Sequence, residues 1–144
     1  MITAEQTQLQ KNLLPRGWGR FGKAIDQITT VAGADESLIA ACVTLNPTFH
    51  HRAITLAGGL FELRQSTNVV LALMDRRIIV VATNVAGSPQ SDHTISLEGL
   101  TVVDHGKKDL TLRWSEGQAE FKGAAKTMLG PFVSALQARL AAAG

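Results

Sequence analysis

The sequence predicts an α+β fold in which an antiparallel sheet or barrel of about seven strands follows two short helices and is closed by one amphipathic helix. Three observations lead there. Strand-like runs are grouped between Ser37 and Phe121, helical periodicity is confined to the two ends, and NVVLALMDRRIIVVATN holds two apolar runs split by Asp75-Arg76-Arg77. With 144 residues, 45% hydrophobic and 18% charged, a single domain with its own core is expected, residues 1–35 forming a helical extension and residues 36–144 the sheet with its closing helix.

At the start, Thr3 and Gln6 can form a capping box, and Leu9, Leu13 and Leu14 make a narrow apolar stripe before Pro15 stops the helix. After the glycine-rich GWGRFG, Phe21, Ile25, Ile28 and Ala32 recur on one helical face and predict a second helix ending near Gly33. From Ser37, SLIAACVTLN reads as a strand ended by Asn46-Pro47. The stretch TFHHRAITLAGGLFELRQS fits either a helical turn through Ala57 or a strand pair broken at Gly58-Gly59, and both readings stay open.

Val69 to Met74 and Ile78 to Ala82 are too rich in β-branched residues, and too sharply interrupted by charge, for one helix; they predict a buried hairpin. The loop AGSPQSD comes next, then strands HTISL and LTVVD joined at Glu98-Gly99. DLTLRWSEGQAEFKG alternates, with Leu110, Leu112, Trp114, Ala119 and Phe121 inward and a turn at Glu116-Gly117, as a hairpin with one wet face does. Met128, Leu129, Phe132, Val133, Leu136 and Leu140 form the stripe of the last helix, which begins just before Pro131 or kinks there.

GWGRFG matches the G-x-G-x-x-G string of dinucleotide-binding loops. In those folds the glycines follow a buried strand and an acid about 20 residues on holds the ribose. Here a proline-ended helix precedes them and the corresponding position falls near Asn46, so the string reads as a bend between helices. The histidines, His50, His51, His93 and His105, lack ligand spacing, and Asp92-His93 and Asp104-His105 read as solvated strand ends. Cys42, the single cysteine, sits mid-strand as a small hydrophobe. No enzyme and no cofactor is expected.

A formal charge of +2 with a pI near 9.0 is too slight to argue for nucleic acid, and basic residues are not interleaved with stacking aromatics. MITAEQTQLQ lacks the apolar core of a signal peptide, no run reaches the length of a spanning helix, and a lone cysteine suits a reducing compartment, so a cytoplasmic protein is expected. Two surfaces stand out as candidates. Trp18 and Phe21 beside Arg16 and Arg20 suit an interface with a partner chain or a membrane surface, and Trp18 packing back on the barrel is the alternative. Arg76, Arg77, Lys107 and Lys108, which sit at predicted turns, and Arg52, in the stretch left open, are the candidate anion-binding residues.

The stretch from about Ser37 to Leu140 resembles the bacterial pleckstrin-homology-like domains, particularly the YokE-like group, and more loosely the GRAM domains. The likeness is carried by Leu73-Met74-Asp75-Arg76-Arg77-Ile78, by the strand Leu100-Thr101-Val102-Val103, and by the hairpin and helix from Leu110 to Leu140. It implies a PH-like barrel and a non-enzymatic interaction module. Met74 stands where the family has Thr, and the spaced basic residues of its phosphoinositide pattern are reduced to His50, His51 and Arg52. The expected partner is therefore a protein or a second copy in a homo-oligomer, and the alternative is an anionic membrane surface or phosphate.

Overall fold

Strands that carry aliphatic side chains on both faces need cover on both faces. The computed structural model describes residues 1–49, 68–115 and 117–143, and in it the central apolar runs are β2 (Asn68–Leu73) and β3 (Arg77–Thr83), buried throughout except at Arg77. With β1 (Ala40–Phe49), β4 (Pro89–Ser96), β5 (Thr101–His105), β6 (Leu110–Trp114) and β7 (Gly117–Ala124) they make one antiparallel sheet in the order β4-β3-β2-β1-β7-β6-β5. Helices α1 (Ala4–Asn12) and α2 (Gly22–Val31) precede it, and α3 (Lys126–Ala143) closes the chain. The α+β class and the placing of the helices are as the sequence predicts. Closure into a barrel is not seen: among the described residues β4 and β5 have one partner strand each, so the sheet is open.

One strand joins the two halves of the sheet. Residues Ala40 to Thr44 of β1 pair with β2, and Thr44 to Phe49 pair with β7. The strand runs past Asn46-Pro47, where the sequence predicts its end. A proline is tolerated where no ladder calls on its missing N–H, and among the described residues β7 alone pairs with this half of β1. The other half has an open side, filled in part by α1: Gln10 Oε1 accepts the Ala41 N–H at 2.9 Å.

The capping box of α1 forms with both hydrogen bonds at 3.1 Å, but the helix docks through Thr7 and Gln10, and Leu9 of the predicted apolar stripe is 59% exposed. The need to satisfy a strand edge has overridden the apolar pattern. Helix α2 follows its pattern. Phe21, Ala24, Ile25 and Ile28 are fully buried, α2 packs on β2, β3 and β4, and its apolar face belongs to the same core as the sheet. Burying each large side chain contributes roughly 1.5–3 kcal/mol, so the extension is part of what holds the sheet.

Met128, Leu129, Phe132, Val133 and Leu136 of α3 are buried, and the helix packs on β1. It starts at Lys126, five residues before Pro131, so the proline lies inside it and leaves the Thr127 carbonyl without its helical donor. Strand β4 also starts earlier than predicted and takes in the PQSD of the expected loop. Pairing with the buried β3, Ser91 with Ala82 and Asp92 with Val81, outweighs the weak propensity of those residues, and Pro89 takes the first position, where proline is allowed.

The GWGRFG bend is a left-handed glycine, Gly17 at φ +88°, followed by a single 3-10 turn, Gly19–Phe21. It docks on the β3–β4 loop, where Gly87 at φ +86° lies against the Arg20 carbonyl with no room for a Cβ.

Candidate functional site

The nine candidate side chains separate into groups with different work. Phe21 is fully buried, which removes it from any interface. Arg20 stacks on the Phe21 ring, 4.4 Å from its centroid, and donates to the Val85 carbonyl at 3.2 Å and the Gly17 carbonyl at 3.0 Å, so it fastens the bend to the β3–β4 loop. Arg16 is exposed. Trp18 is half-buried, its ring edge-on to Phe21 with centroids 5.9 Å apart.

Among the candidate anion residues, Arg77 is occupied. It donates to both Glu36 oxygens at 2.6 and 2.9 Å, to Thr94 Oγ1 at 3.0 Å and to the Val31 carbonyl at 3.4 Å, tying the β2–β3 hairpin to the end of α2. The hydrogen bonds from Arg77 hold the Glu36 carboxyl below the usual carboxylate range against an opposing effect of burial, and Glu36 holds Arg77 up in turn. Asp75 in the same turn accepts from the Ser37 N–H at 2.7 Å and from Arg139 of α3 at 3.0 Å. Arg76 is exposed on the rim of a cleft of about 670 Å³ that also holds Asp75, Glu98 and Arg139. Two acids against two arginines leave that cleft without a net attraction for an anion. Arg52, with His50 and His51, lies outside the described residues.

Lys107 and Lys108 are placed otherwise. They occupy the β5–β6 turn, which the Gly106 N–H to Asp109 carbonyl bond closes at 2.9 Å. The β6–β7 pairing sets Leu110 opposite Phe121, and the Ala124 N–H reaches the Lys108 carbonyl at 2.8 Å. This carries the turn to the end of β7 and the start of α3. The result is an open groove of about 490 Å³ lined by Lys107, Lys108, Asp109, Lys122, Gly123 and Lys126. Among the described lining residues there are thus four lysines and one acid, in a chain whose formal charge is only +2.

Among the described residues Lys107, Lys108 and Lys126 make no ion pair, while Lys122 meets Glu120 at 3.5 Å. The first turn of α3 carries no acid, so the positive end of the helix dipole adds to the same field. Sequence reasoning missed Lys122 and Lys126. Lys122 shows only as an outward position of the last strand and Lys126 as a residue before the helical stripe, and neither reveals that register and chain reversal bring them to Lys107 and Lys108.

A second groove, about 320 Å³, shares Lys108, Gly123 and Lys126 with the first. Its remaining wall is apolar: Pro15, Trp18, Leu45, Ala124, Ala125 and the stem of Thr127. The α1–α2 connector is held there by the Thr127 hydroxyl, which donates to the Leu13 carbonyl.

Asp92 and His93 are neighbours in the middle of β4, not at a strand end as the sequence suggests, and so point to opposite faces; the His93 ring is 3.2 Å from Ser91 Oγ. Cys42 is fully buried and its thiol is pushed up to about 12 by that burial. Among the described residues no three His, Cys, Asp or Glu side chains gather as a metal site needs, and no described helix is long and apolar enough to cross a membrane.

No protein-family model matches the sequence, and no curated protein is similar to it. Among solved structures the chain is similar to the C-terminal domain of an unknown protein from Leishmania infantum, 11% identical, with 85% of this chain and 96% of that one covered at a TM-score of 0.46.

Proposed function

We propose that the chain is a non-enzymatic, PH-like interaction module and that it recognises an anionic ligand in the groove of Lys107, Lys108, Lys122 and Lys126. Support for the PH-like reading is the order β4-β3-β2-β1-β7-β6-β5 with a helix directly after the last strand. A single observation carries the functional reading: four lysines from the β5–β6 turn, β7 and α3 converge on one groove with Asp109 as the sole acid among the described residues of its lining. Lysines serving only solubility repel one another and gain by spreading out, whereas these are held together by backbone pairing.

Titration with pyrophosphate and with polyglutamate, followed by amide chemical shifts, tests the reading. Both probes are expected to shift residues 106–109 and 122–127, more weakly as salt is raised. Lys108→Glu with Lys126→Glu is expected to remove the binding and leave the fold intact, since both side chains are exposed. Shifts elsewhere, or binding that survives the double charge reversal, overturn the assignment.

A further inference from the structure

We infer that the lysine groove and the apolar groove beside it are one composite site for an acidic peptide segment of a partner protein, whose carboxylates meet Lys108 and Lys126 while an aliphatic side chain enters between Pro15, Trp18 and Leu45. The inference rests on the anion-binding reading and adds the class of partner.

Two properties of the apolar groove select a peptide. The groove shares Lys108 and Lys126 with the lysine groove, so a ligand that uses both places an apolar group close to its charges. It is also concave, with a volume at the low end of those that hold small ligands. A membrane surface calls for the reverse shape, a protruding apolar group among the lysines. Among the described residues the large exposed apolar side chains are Met1, Leu9, Val85 and Val103, and none of them lines either groove.

The aromatic wall is also prepared for a ligand. Trp18 is braced edge-on by the buried Phe21, and the Trp18 N–H to Pro15 carbonyl bond at 2.9 Å fixes the backbone of the connector. The indole N–H has no partner among the described residues and remains available to a peptide carbonyl. A large, rigid aromatic beside cationic groups at a partly desolvated site is the composition of an energetic centre in a protein interface. The α1–α2 connector therefore contributes Pro15 and Trp18 to the binding site, and α2 covers the sheet.

Tryptophan emission gives a direct test. The chain has two tryptophans and Trp114 is buried, so Trp114→Phe leaves Trp18 as the reporter, with amide shifts of the unsubstituted chain as the second readout. The probes are a short peptide with one leucine flanked by glutamates, the same peptide with serine in place of leucine, pyrophosphate, and vesicles of phosphatidylserine with phosphatidylcholine.

The leucine peptide is expected to perturb Trp18 emission and to bind about tenfold or more tighter than the serine peptide, the difference that burying such a side chain makes. Trp18→Ala is expected to abolish that preference and keep the salt-sensitive binding of the serine peptide, which also shows that the variant is folded. Equal binding of the two peptides overturns the inference while the anion site stands, as does a preference that survives Trp18→Ala. Vesicles that move Trp18 emission while the leucine peptide does not also overturn it, in favour of a membrane. If neither pyrophosphate nor either peptide binds, the underlying anion site has failed.

Discussion

Arg77→Ala separates the structural cations from the recognising ones. Arg77 makes four hydrogen bonds, two of them to Glu36, and the side chains of the pair are 26% and 19% exposed. Hydrogen bonds to charged groups contribute about 1.5–3 kcal/mol each, but these share one side chain and are partly screened. The expected loss is therefore roughly 2–3 kcal/mol, or about 4–12 °C in melting temperature for a domain of this size.

The pH dependence follows from Glu36, whose carboxyl Arg77 holds below the ordinary value of 4.5. A carboxyl lowered in the folded state contributes stability above its unfolded pKa and loses it as pH falls through the folded one. The penalty of Arg77→Ala should thus be full at neutral pH and shrink on acidification well below 4.5. Chemical denaturation across that range, monitored by circular dichroism, measures it. A penalty under about 0.5 kcal/mol, the ordinary scatter of surface substitutions, refutes the reasoning. So does a penalty that does not change with pH, or a loss of polyglutamate binding as large as that from Lys108→Glu with Lys126→Glu.

Phe21→Ala is expected to cost about 3–5 kcal/mol in calorimetry because a fully buried ring leaves a cavity shared by α2 and the sheet; a cost near zero would mean that the extension is separable. Gln10→Ala strands the Ala41 N–H at the open side of β1, so we expect a loss of about 1–2 kcal/mol and faster hydrogen exchange at that amide; unchanged protection there would refute the role. Cys42, buried and with its thiol pushed up to about 12, should resist iodoacetamide in the folded chain and react on unfolding. Stoichiometric alkylation under native conditions would contradict its placement.

The parts legible in the sequence are those whose cause is local. The capping box of Thr3 and Gln6, the bend at Gly17 and the stripe of Phe21, Ile25 and Ile28 each need only neighbours within a few turns of chain. The hairpin of β2 and β3 was legible because continuous apolar runs broken by charge admit few other arrangements. Errors fall where a distant partner decides. The PQSD segment pairs because β3 is beside it, β1 continues through Pro47 because β7 receives it, and α1 turns Gln10 inward because an N–H of β1 lacks a donor's partner.

The candidate site divides in the same way. Aromatic and basic side chains flanking the first bend, and lysines in the HGKKD turn, are legible in the chain itself, because turns of this kind must be polar and the glycines must bend. Which of those charges are already paired depends on the packing in three dimensions. Arg77 and Arg20 are consumed by Glu36 and by backbone carbonyls, whereas Lys107 and Lys108 join Lys122 and Lys126 beside Trp18. The physical reason is that a cation's availability depends on what lies within a few ångströms of it, and here those neighbours come from residues scattered along the chain that strand register and the return of α3 bring together.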